Sequence, residues 1–178
     1  GYDFTRNREG AAEQGDINQS TMAVLDQSTM AVLDGRPGFV NQSTMAVLDQ
    51  STMAVLDGPE YAAFGHGTIV AGVVHLAAPR AKILPLKAFR ADGSGYLSDV
   101  LRALYYASNK NAKVINMSFS FASKSRELER TLTYVTAKGA IAVSSAGNDG
   151  RKTNVYPASY STVMGVASTT NWDTLSGF

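Results

Sequence analysis

Short apolar segments alternate along the chain with segments of helical periodicity, and this alternation limits the possible folds more than any other feature. The apolar segments that are typical of strands cover residues 82–89, 113–119, 140–143 and 162–167. The segments with apolar residues three and four positions apart cover residues 66–77, 97–109 and 124–138. Apolar strands separated by amphipathic helices predict an α/β fold, in which a parallel sheet is covered on both faces. In such sheets, functional residues gather at the carboxyl ends of the strands.

Local signals indicate where some of these elements begin and end. Pro85 interrupts the first apolar segment, which predicts a bulged or edge strand because proline cannot donate to a β-ladder. Ser98 and Ser94 are both candidates for the N-cap of the second helix. Gly139 directly follows the third helical segment, where a glycine commonly ends a helix.

The composition excludes several classes of protein. The 178 residues carry 16 Lys and Arg against 15 Asp and Glu, a net charge of +1, so no basic excess is available to neutralise nucleic-acid phosphates. Cysteine is absent, which excludes disulfide frameworks, thiolate nucleophiles and cysteine-bound zinc. No apolar run approaches the roughly 20 residues of a membrane helix. We therefore expect neither a nucleic-acid nor a membrane partner, and the composition leaves the oligomeric state open.

Residues 18–58 are dominated by a repeated octet. The sequence Gln-Ser-Thr-Met-Ala-Val-Leu-Asp occurs four times, at residues 19–26, 27–34, 42–49 and 50–57. These units are too short for a solenoid, whose repeats are about 20 residues or longer. We interpret the segment as a duplicated surface insertion, because packing against different neighbours does not select identical copies. A repeated binding element and a repeated catalytic aspartate are the alternatives.

The first candidate for chemistry is His66, which stands between Gly65 and Gly67 at the start of a predicted helix. Glycine allows a close approach of the backbone, so the imidazole can stand in a cleft. A catalytic histidine and a structural or surface histidine both fit this pattern. His75 lies nine residues further along the same helix and on its opposite face, so the two histidines do not form a pair of metal ligands.

The second candidate is the segment 144–150, which directly follows the apolar run at 140–143. Its small residues leave space at the carboxyl end of a strand, and Asn148 can present a side-chain N–H there. Such a donor can stabilise an oxyanion. An ordinary turn is the alternative for the Asn-Asp-Gly sequence that begins at Asn148.

Taken in order, these segments resemble the subtilisin-like serine peptidases, the subtilase family. The His box of that family is similar to His66-Gly67-Thr68-Ile69-Val70-Ala71-Gly72, and the resemblance runs from about residue 64 to residue 178. The further matching segments are, in chain order, 78–83 with 87–89, 93–95 with 97–99, 114–120, 145–150, and 156–158 with 163–167. The resemblance implies a parallel-sheet, subtilisin-like α/β fold of the Rossmann-like three-layer type, incomplete at both ends. Residues 1–178 would form part of one peptidase domain, with residues 18–58 as an insertion.

The resemblance also implies hydrolysis of peptide bonds through a Ser-His-Asp triad, with a polypeptide substrate. We expect no cofactor and assign no metal ligands in this chain, and calcium sites elsewhere in the parent protein stay open. His66 would be the general base and then the general acid, and Asn148 would donate a hydrogen bond to the oxyanion. The residues that would pair with the substrate backbone or line its pocket are Gly93, Ser94, Gly95, Ser118, Phe119, Ser120, Ser145, Ala146 and Gly147. The calcium loop that many family members carry in the helix after the histidine has no counterpart, since the helix runs almost directly into Ala78-Pro79.

Two boxes of the family are not in their expected places. The Ser box, a Gly-Thr-Ser-Met-Ala run, is expected beyond residue 178, and the Ser-Thr-Met-Ala of the octets differs from it in order and position. Gly1-Tyr2-Asp3-Phe4 resembles the segment between the Asp and His boxes, which places the catalytic aspartate upstream of residue 1. Asp34 is the main alternative, followed by Asp26, Asp49 and Asp57. We therefore expect this chain alone to be inactive.

Two other classes of protein are compatible with parts of the pattern. A catalytically inactive subtilase-like binding module would share the fold without a working triad. A dinucleotide-binding domain is disfavoured, because the glycines at 65, 67 and 72 do not follow a strand in the required spacing. The habit of the family, and no signal in the chain, implies that the parent protein is secreted or located in the cell envelope.

Overall fold

The computed structural model describes residues 1–16, 63–148 and 153–177. The chain divides into two compact units, Gly1–Val100 and Leu101–Phe178. The octets lie outside the described residues, so the insertion and the role of their aspartates stay predictions. Within the described ranges, no helix is both long enough and apolar enough to cross a membrane.

The first unit contains a small mixed sheet, a 3₁₀ helix and an α-helix. Strand β1 (Tyr2–Asp3) pairs antiparallel with β2 (Arg8–Glu9) and parallel with β3 (Leu86–Lys87). The 3₁₀ helix (Glu13–Asp16) follows β2, and helix α1 covers His66–Ala77. Helix α1 therefore has the bounds that its periodicity predicts.

Strand β3 is much shorter than the predicted strand at 82–89. Residues 82–85 lie outside the sheet, and β3 is an edge strand, as the proline predicts. Pro85 has no N–H to donate, and its carbonyl accepts a hydrogen bond from Tyr2 N at 3.1 Å. The strand therefore begins after the proline.

Helix α2 (Leu97–Asn109) has the predicted bounds, but neither predicted N-cap precedes it. An N-cap is the residue directly before the helix, and here that residue is Tyr96. Ser98 lies inside the first turn. Ser94 belongs to the preceding turn, where its carbonyl accepts a hydrogen bond from Arg90 N at 2.8 Å. Both N-cap predictions are therefore wrong.

The second unit is built on a parallel three-stranded sheet. Its strands in spatial order are β4 (Val114–Met117), β5 (Ile141–Ser145) and β6 (Val163–Val166). Met117 pairs with Ser144, and Ser144 pairs with Gly165, so the three strands are in register near their carboxyl ends. The predicted parallel sheet is confirmed.

Helix α3 (Arg126–Ala137) connects β4 to β5 and is slightly shorter than predicted. Ser125 is its N-cap, and the Ser125 hydroxyl oxygen accepts a hydrogen bond from Leu128 N at 3.2 Å. Gly139 follows the end of the helix with a φ of 92°, a left-handed conformation that favours glycine and lets the chain turn into β5.

The core of the second unit lies under helix α3. Leu128, Leu132 and Val135 project from one side of this helix and are buried, and the helix contacts β5. The rings of Tyr105 in α2 and Tyr134 in α3 lie 5.4 Å apart, so these helices are neighbours. Spacing of three and four residues along α3 thus produces the buried stripe that the sequence predicts.

The sheet of the second unit has two unequal faces. Met117, Ala142 and Ser144 share one face and are buried. Four large apolar side chains on the other face are at least half exposed, namely Val114, Ile141, Met164 and Val166. We predicted that both faces of the sheet would be covered. In the part of the chain that the structure describes, only one face is covered, because the side chains on the other face are exposed to solvent.

Replacing Leu132 by alanine tests the core. Leu132 is fully buried, so the Leu132→Ala variant should lose about 2–5 kcal/mol of unfolding free energy. Leu175 belongs to the same unit but is 75% exposed, and Leu175→Ala should change this free energy by about 0.5 kcal/mol or less. Urea denaturation of both variants measures the difference, and equal losses would contradict the assignment of the core.

Candidate active site

His66 is the first residue of helix α1 and is partly exposed. Gly65 precedes it as the N-cap with φ 80° and ψ −13°, a left-handed conformation that is strained for other residues. The His66 N–H donates to the Ala63 carbonyl at 3.2 Å, and Ile69 N donates to the Gly65 carbonyl at 2.9 Å. The glycine therefore makes the sharp entry that places a histidine at the start of the helix.

Two contacts connect the residues just before helix α1 with the loop 90–96, which carries predicted substrate-binding residues. Ala63 N donates to the Ala91 carbonyl at 2.7 Å. A Cβ atom on Gly93 would lie 3.3 Å from Ala63 Cβ. The start of helix α1 and the loop are therefore neighbours within the first unit.

The loop itself is held in a tight turn by its own polar groups. Gly93 N donates to the Arg90 carbonyl at 3.0 Å, and Ser94 N donates to Asp92 Oδ1 at 2.8 Å. Hydrogen bonds from Ser94 hold the pKa of Asp92 below its ordinary value. Arg90 lies over the ring of Tyr96 at 5.3 Å from its centroid, which joins the two ends of the loop. The exposed backbone of residues 93–95 thus has a defined conformation.

An acidic residue that the sequence analysis did not identify lies at the start of helix α1. Glu13 Oε2 accepts a hydrogen bond from Gly65 N at 2.6 Å, across 52 positions of sequence. Glu13 Oε1 lies 3.1 Å from the position that a Cβ atom of residue 67 would take. Because this contact joins segments that are far apart in the sequence, no local pattern of residues signals it.

The segment that carries Glu13 is tied to β3 by a shielded ion pair. Asp16 pairs with Lys87 at 2.8 Å, and each of these side chains is only 8% exposed. Asp16 also pairs with Arg6. Lys87 Nζ donates further to the Phe89 carbonyl at 2.6 Å. Low exposure weakens screening by salt, so these charges hold the 3₁₀ helix against the sheet.

Asp3 forms a second buried polar centre at the end of β1. It is 1% exposed and accepts hydrogen bonds from Thr5 Oγ1 at 2.6 Å, Thr5 N at 3.0 Å and Arg6 N at 3.2 Å. Burial by itself raises the pKa of Asp3, but the Thr5 hydrogen bond, the Lys87 charge and Arg6 outweigh it. The pKa of Asp3 therefore lies below its ordinary value.

The predicted substrate-binding residues of the second unit lie at one edge of its sheet. Residues 118–120 follow β4, and residues 145–147 end or follow β5. Because β4 and β5 are parallel neighbours, the chain leaves both strands at the same edge. Ala146 N donates to the Val166 carbonyl at 2.8 Å, which holds the segment after β5 against β6.

Asn148 continues from this edge and is exposed. Its amide group is therefore accessible at the carboxyl end of a parallel sheet, where ligands of α/β proteins bind. In the second unit, Asn148 follows residues 145–147 at the edge of the sheet where residues 118–120 also leave it. In the first unit, the loop that carries residues 93–95 contacts Ala63, three residues before His66.

Small residues and an exposed amide thus lie at the carboxyl edge of a parallel sheet, where ligands of α/β proteins bind, and a glycine-flanked histidine begins a helix of the first unit. The chain belongs to the subtilase family, whose sequence model matches residues 17–178. The family resemblance predicted from the residues is therefore confirmed, and with it the class of subtilisin-like serine proteases.

Two bacterial relatives illustrate the match. The chain is 37% identical to the thermophilic serine proteinase of Bacillus sp. (strain AK1) over 123 residues, which cover 64% of this chain and 31% of the relative. It is 35% identical to thermitase of Thermoactinomyces vulgaris over 124 residues, which cover 64% of this chain and 44% of the relative. The chain thus spans less than half the length of each of these curated relatives.

A solved structure supports the fold. The chain resembles a lanthipeptide protease with a TM-score of 0.59 and 26% identity, over 65% of this chain and 39% of that chain. The fold is therefore the α/β fold of subtilisin-like proteases, as predicted.

Replacing Gly95 by alanine tests the close packing of the loop. A Cβ atom there would lie 2.7 Å from the Ala88 carbonyl oxygen and 2.8 Å from the Phe89 ring, so the Gly95→Ala variant should lose about 1–3 kcal/mol of stability. Gly72 lies in helix α1, and outside the helix backbone no atom of the described residues lies within 4 Å of the added Cβ, so Gly72→Ala should gain up to about 1 kcal/mol. Thermal denaturation compares the two variants, and a Gly95→Ala melting temperature at or above that of the wild type would contradict this packing.

The lowered pKa of Asp3 predicts a pH-dependent contribution to stability. A carboxyl group with a lower pKa in the folded state stabilises the fold above its ordinary pKa of 3.8 and loses this effect as the pH falls through its folded value. Asp3→Asn should therefore cost about 1–3 kcal/mol at pH 7, and the cost should shrink below about pH 4. Urea denaturation of both proteins between pH 7 and pH 3 measures this, and a cost independent of pH would contradict it.

Proposed function

We propose that this chain supplies the general base and an oxyanion donor of a subtilisin-like serine endopeptidase. The observation that carries the proposal is His66, which begins helix α1 between two glycines inside the region matched by the subtilase family. The chain spans 31% and 44% of the two named relatives, so the proposal concerns the complete peptidase. Its substrate class is polypeptide.

In the proposed mechanism, His66 moves a proton twice. It accepts the proton of a serine hydroxyl as that oxygen attacks the scissile carbonyl carbon, and it then donates the proton to the leaving amine. A carboxylate orients the imidazole and stabilises its charged form. We expect the serine beyond residue 178 and the carboxylate upstream of residue 1, with Asp34 as the alternative.

Asn148 is proposed to stabilise the negative charge that develops on the carbonyl oxygen during attack. A side-chain N–H can donate to an oxyanion, and the exposure of Asn148 at the carboxyl edge of the sheet supports this role. The small neighbours Ser145, Ala146 and Gly147 are proposed to form the wall of the adjacent pocket. Their position directly after β5 supports this assignment.

The segments 93–95 and 118–120 are proposed to bind the substrate through its main chain. An extended peptide can add to exposed backbone N–H and C=O groups as a further strand, which gives affinity for many sequences. The exposed backbone of residues 93–95 supports this mode. Recognition of side chains would then be secondary to recognition of the main chain.

A catalytically inactive, subtilase-like binding module is the alternative. The complete gene product separates the two: one that lacks a Gly-Thr-Ser-Met-Ala run would bind peptides without cleaving them. Export of the parent protein, one peptidase domain over residues 1–178, and the insertion at 18–58 stay predictions.

Replacing His66 tests the proposed mechanism. In the complete gene product, His66→Ala should lower kcat/KM for a chromogenic peptide by at least about 100-fold, because general acid and base catalysis is lost. His75→Ala is the matched control: His75 lies in the same helix, is exposed, and should leave the rate within about twofold. Turnover retained in the His66→Ala variant would remove this residue from the mechanism.

A further inference from the structure

Helix α1 has no capping side chain of its own. An α-helix begins with N–H groups that lack partners within the helix, and the residue before the helix commonly accepts one of them. In α1 that residue is Gly65, and the first turn contains no acidic side chain. Glu13 Oε2 accepts a hydrogen bond from Gly65 N at 2.6 Å, so an acid from another segment satisfies the N–H group of the N-cap residue itself.

The Glu13 carboxylate lies beside the backbone on both sides of His66. One oxygen accepts the Gly65 hydrogen bond, and the other lies 3.1 Å from where a Cβ atom of residue 67 would stand. A side chain at residue 67 would therefore crowd the carboxylate. Negative charge at the N-terminus of a helix is also favourable, because it complements the helix dipole.

Glu13 is itself held in place. It begins the short 3₁₀ helix that ends at Asp16, and Asp16 pairs with Lys87 of β3 at 2.8 Å and with Arg6. The carboxylate therefore reaches helix α1 from a segment that is fixed to the sheet. A displacement of His66 would have to stretch this connection.

We infer that Glu13 is a positioning residue for His66. Its carboxylate holds the Gly65–Gly67 turn, and the turn fixes the point from which the imidazole reaches a substrate. The inference rests on the proposed function of His66 as the general base. Glu13 acts through the backbone and needs no contact with the substrate.

The effect on catalysis follows from the geometry of proton transfer. A displacement of about 1 Å can cost 10²-fold in rate, so Glu13→Ala in the complete gene product should lower kcat about 10- to 100-fold and leave KM within about twofold. Glu13→Gln keeps a carbonyl acceptor for Gly65 N and should restore most of kcat, because only the charge assistance of the bond is lost. Glu9→Ala is the matched control, since it removes an exposed acid from β2.

Measurements on the 178-residue chain test the contact without any enzymatic activity. Loss of the hydrogen bond in Glu13→Ala should accelerate hydrogen exchange of the Gly65 amide about 5- to 10-fold. The NMR signals of the His66 ring should shift, and those of His75 should not. Glu13→Gln should return both signatures toward the wild type.

A second variant separates positioning from support of the fold. Gly67→Ala favours the helix, because alanine has a higher helix propensity than glycine, yet its Cβ crowds Glu13 Oε1. It should therefore shift the His66 ring signals with no loss of thermal stability. This variant and Glu13→Gln decide the question if Glu13→Ala does not fold.

Unchanged Gly65 exchange and unchanged His66 signals in folded Glu13→Ala would overturn the inference, and so would equal effects of Glu9→Ala. A kcat in Glu13→Ala equal to that of the wild type would also overturn it. A complete gene product that cleaves no peptide would remove the proposed function, and the exchange and ring signals would still decide whether Glu13 positions His66.

Discussion

The first unit depends on the pairing of buried charges around Lys87. A lysine and an aspartate that are each 8% exposed are costly to bury apart, so Lys87 and Asp16 stabilise the fold only when they meet. Their meeting places the 3₁₀ helix against β3, and the 3₁₀ helix in turn brings Glu13 to the start of helix α1. Parallel pairing of β1 with β3 adds Asp3 to the same region of charge. The position of His66 is therefore linked, through polar contacts, to the short sheet at the N-terminus.

In the second unit, the proposed substrate-binding residues lie at one edge of the sheet. The parallel register of β4 and β5 places them there, because both strands leave the sheet in the same direction. Met117 and Ser144 close the buried face at the ends of the strands, and the next residues are those proposed to bind substrate. Covering the buried face with α3 thus fixes the edge from which Asn148 follows.

The sequence was most informative where a local pattern determines structure. The spacing of apolar residues at 66–77 and 97–109 predicted both helices with their observed bounds. Such spacing and the glycines beside a helix are local signals, which can be read within a few residues. The predicted N-caps Ser94 and Ser98 were wrong, because the helix begins at Leu97 and the residue directly before it is Tyr96. Glu13 could not be identified from the pattern, since its contact with Gly65 crosses 52 positions of sequence. The placement of the histidine was thus predictable, and the group that holds it there was not.

The hydrogen bond to Glu13 is important for the position of helix α1, because few apolar contacts hold this helix in the described part of the chain. None of its residues is buried, and Leu76 is 83% exposed. A helix of 12 residues is marginal in water without packing or capping. Gly65 permits the sharp turn into the helix, and its own N–H group donates to Glu13, an acceptor from another segment. A carboxylate fixed to the sheet satisfies the amide, complements the helix dipole and still leaves both glycines free of side chains around His66. The two glycines therefore permit the turn at His66, and the segment 13–16, which is paired to the sheet, holds that turn in place.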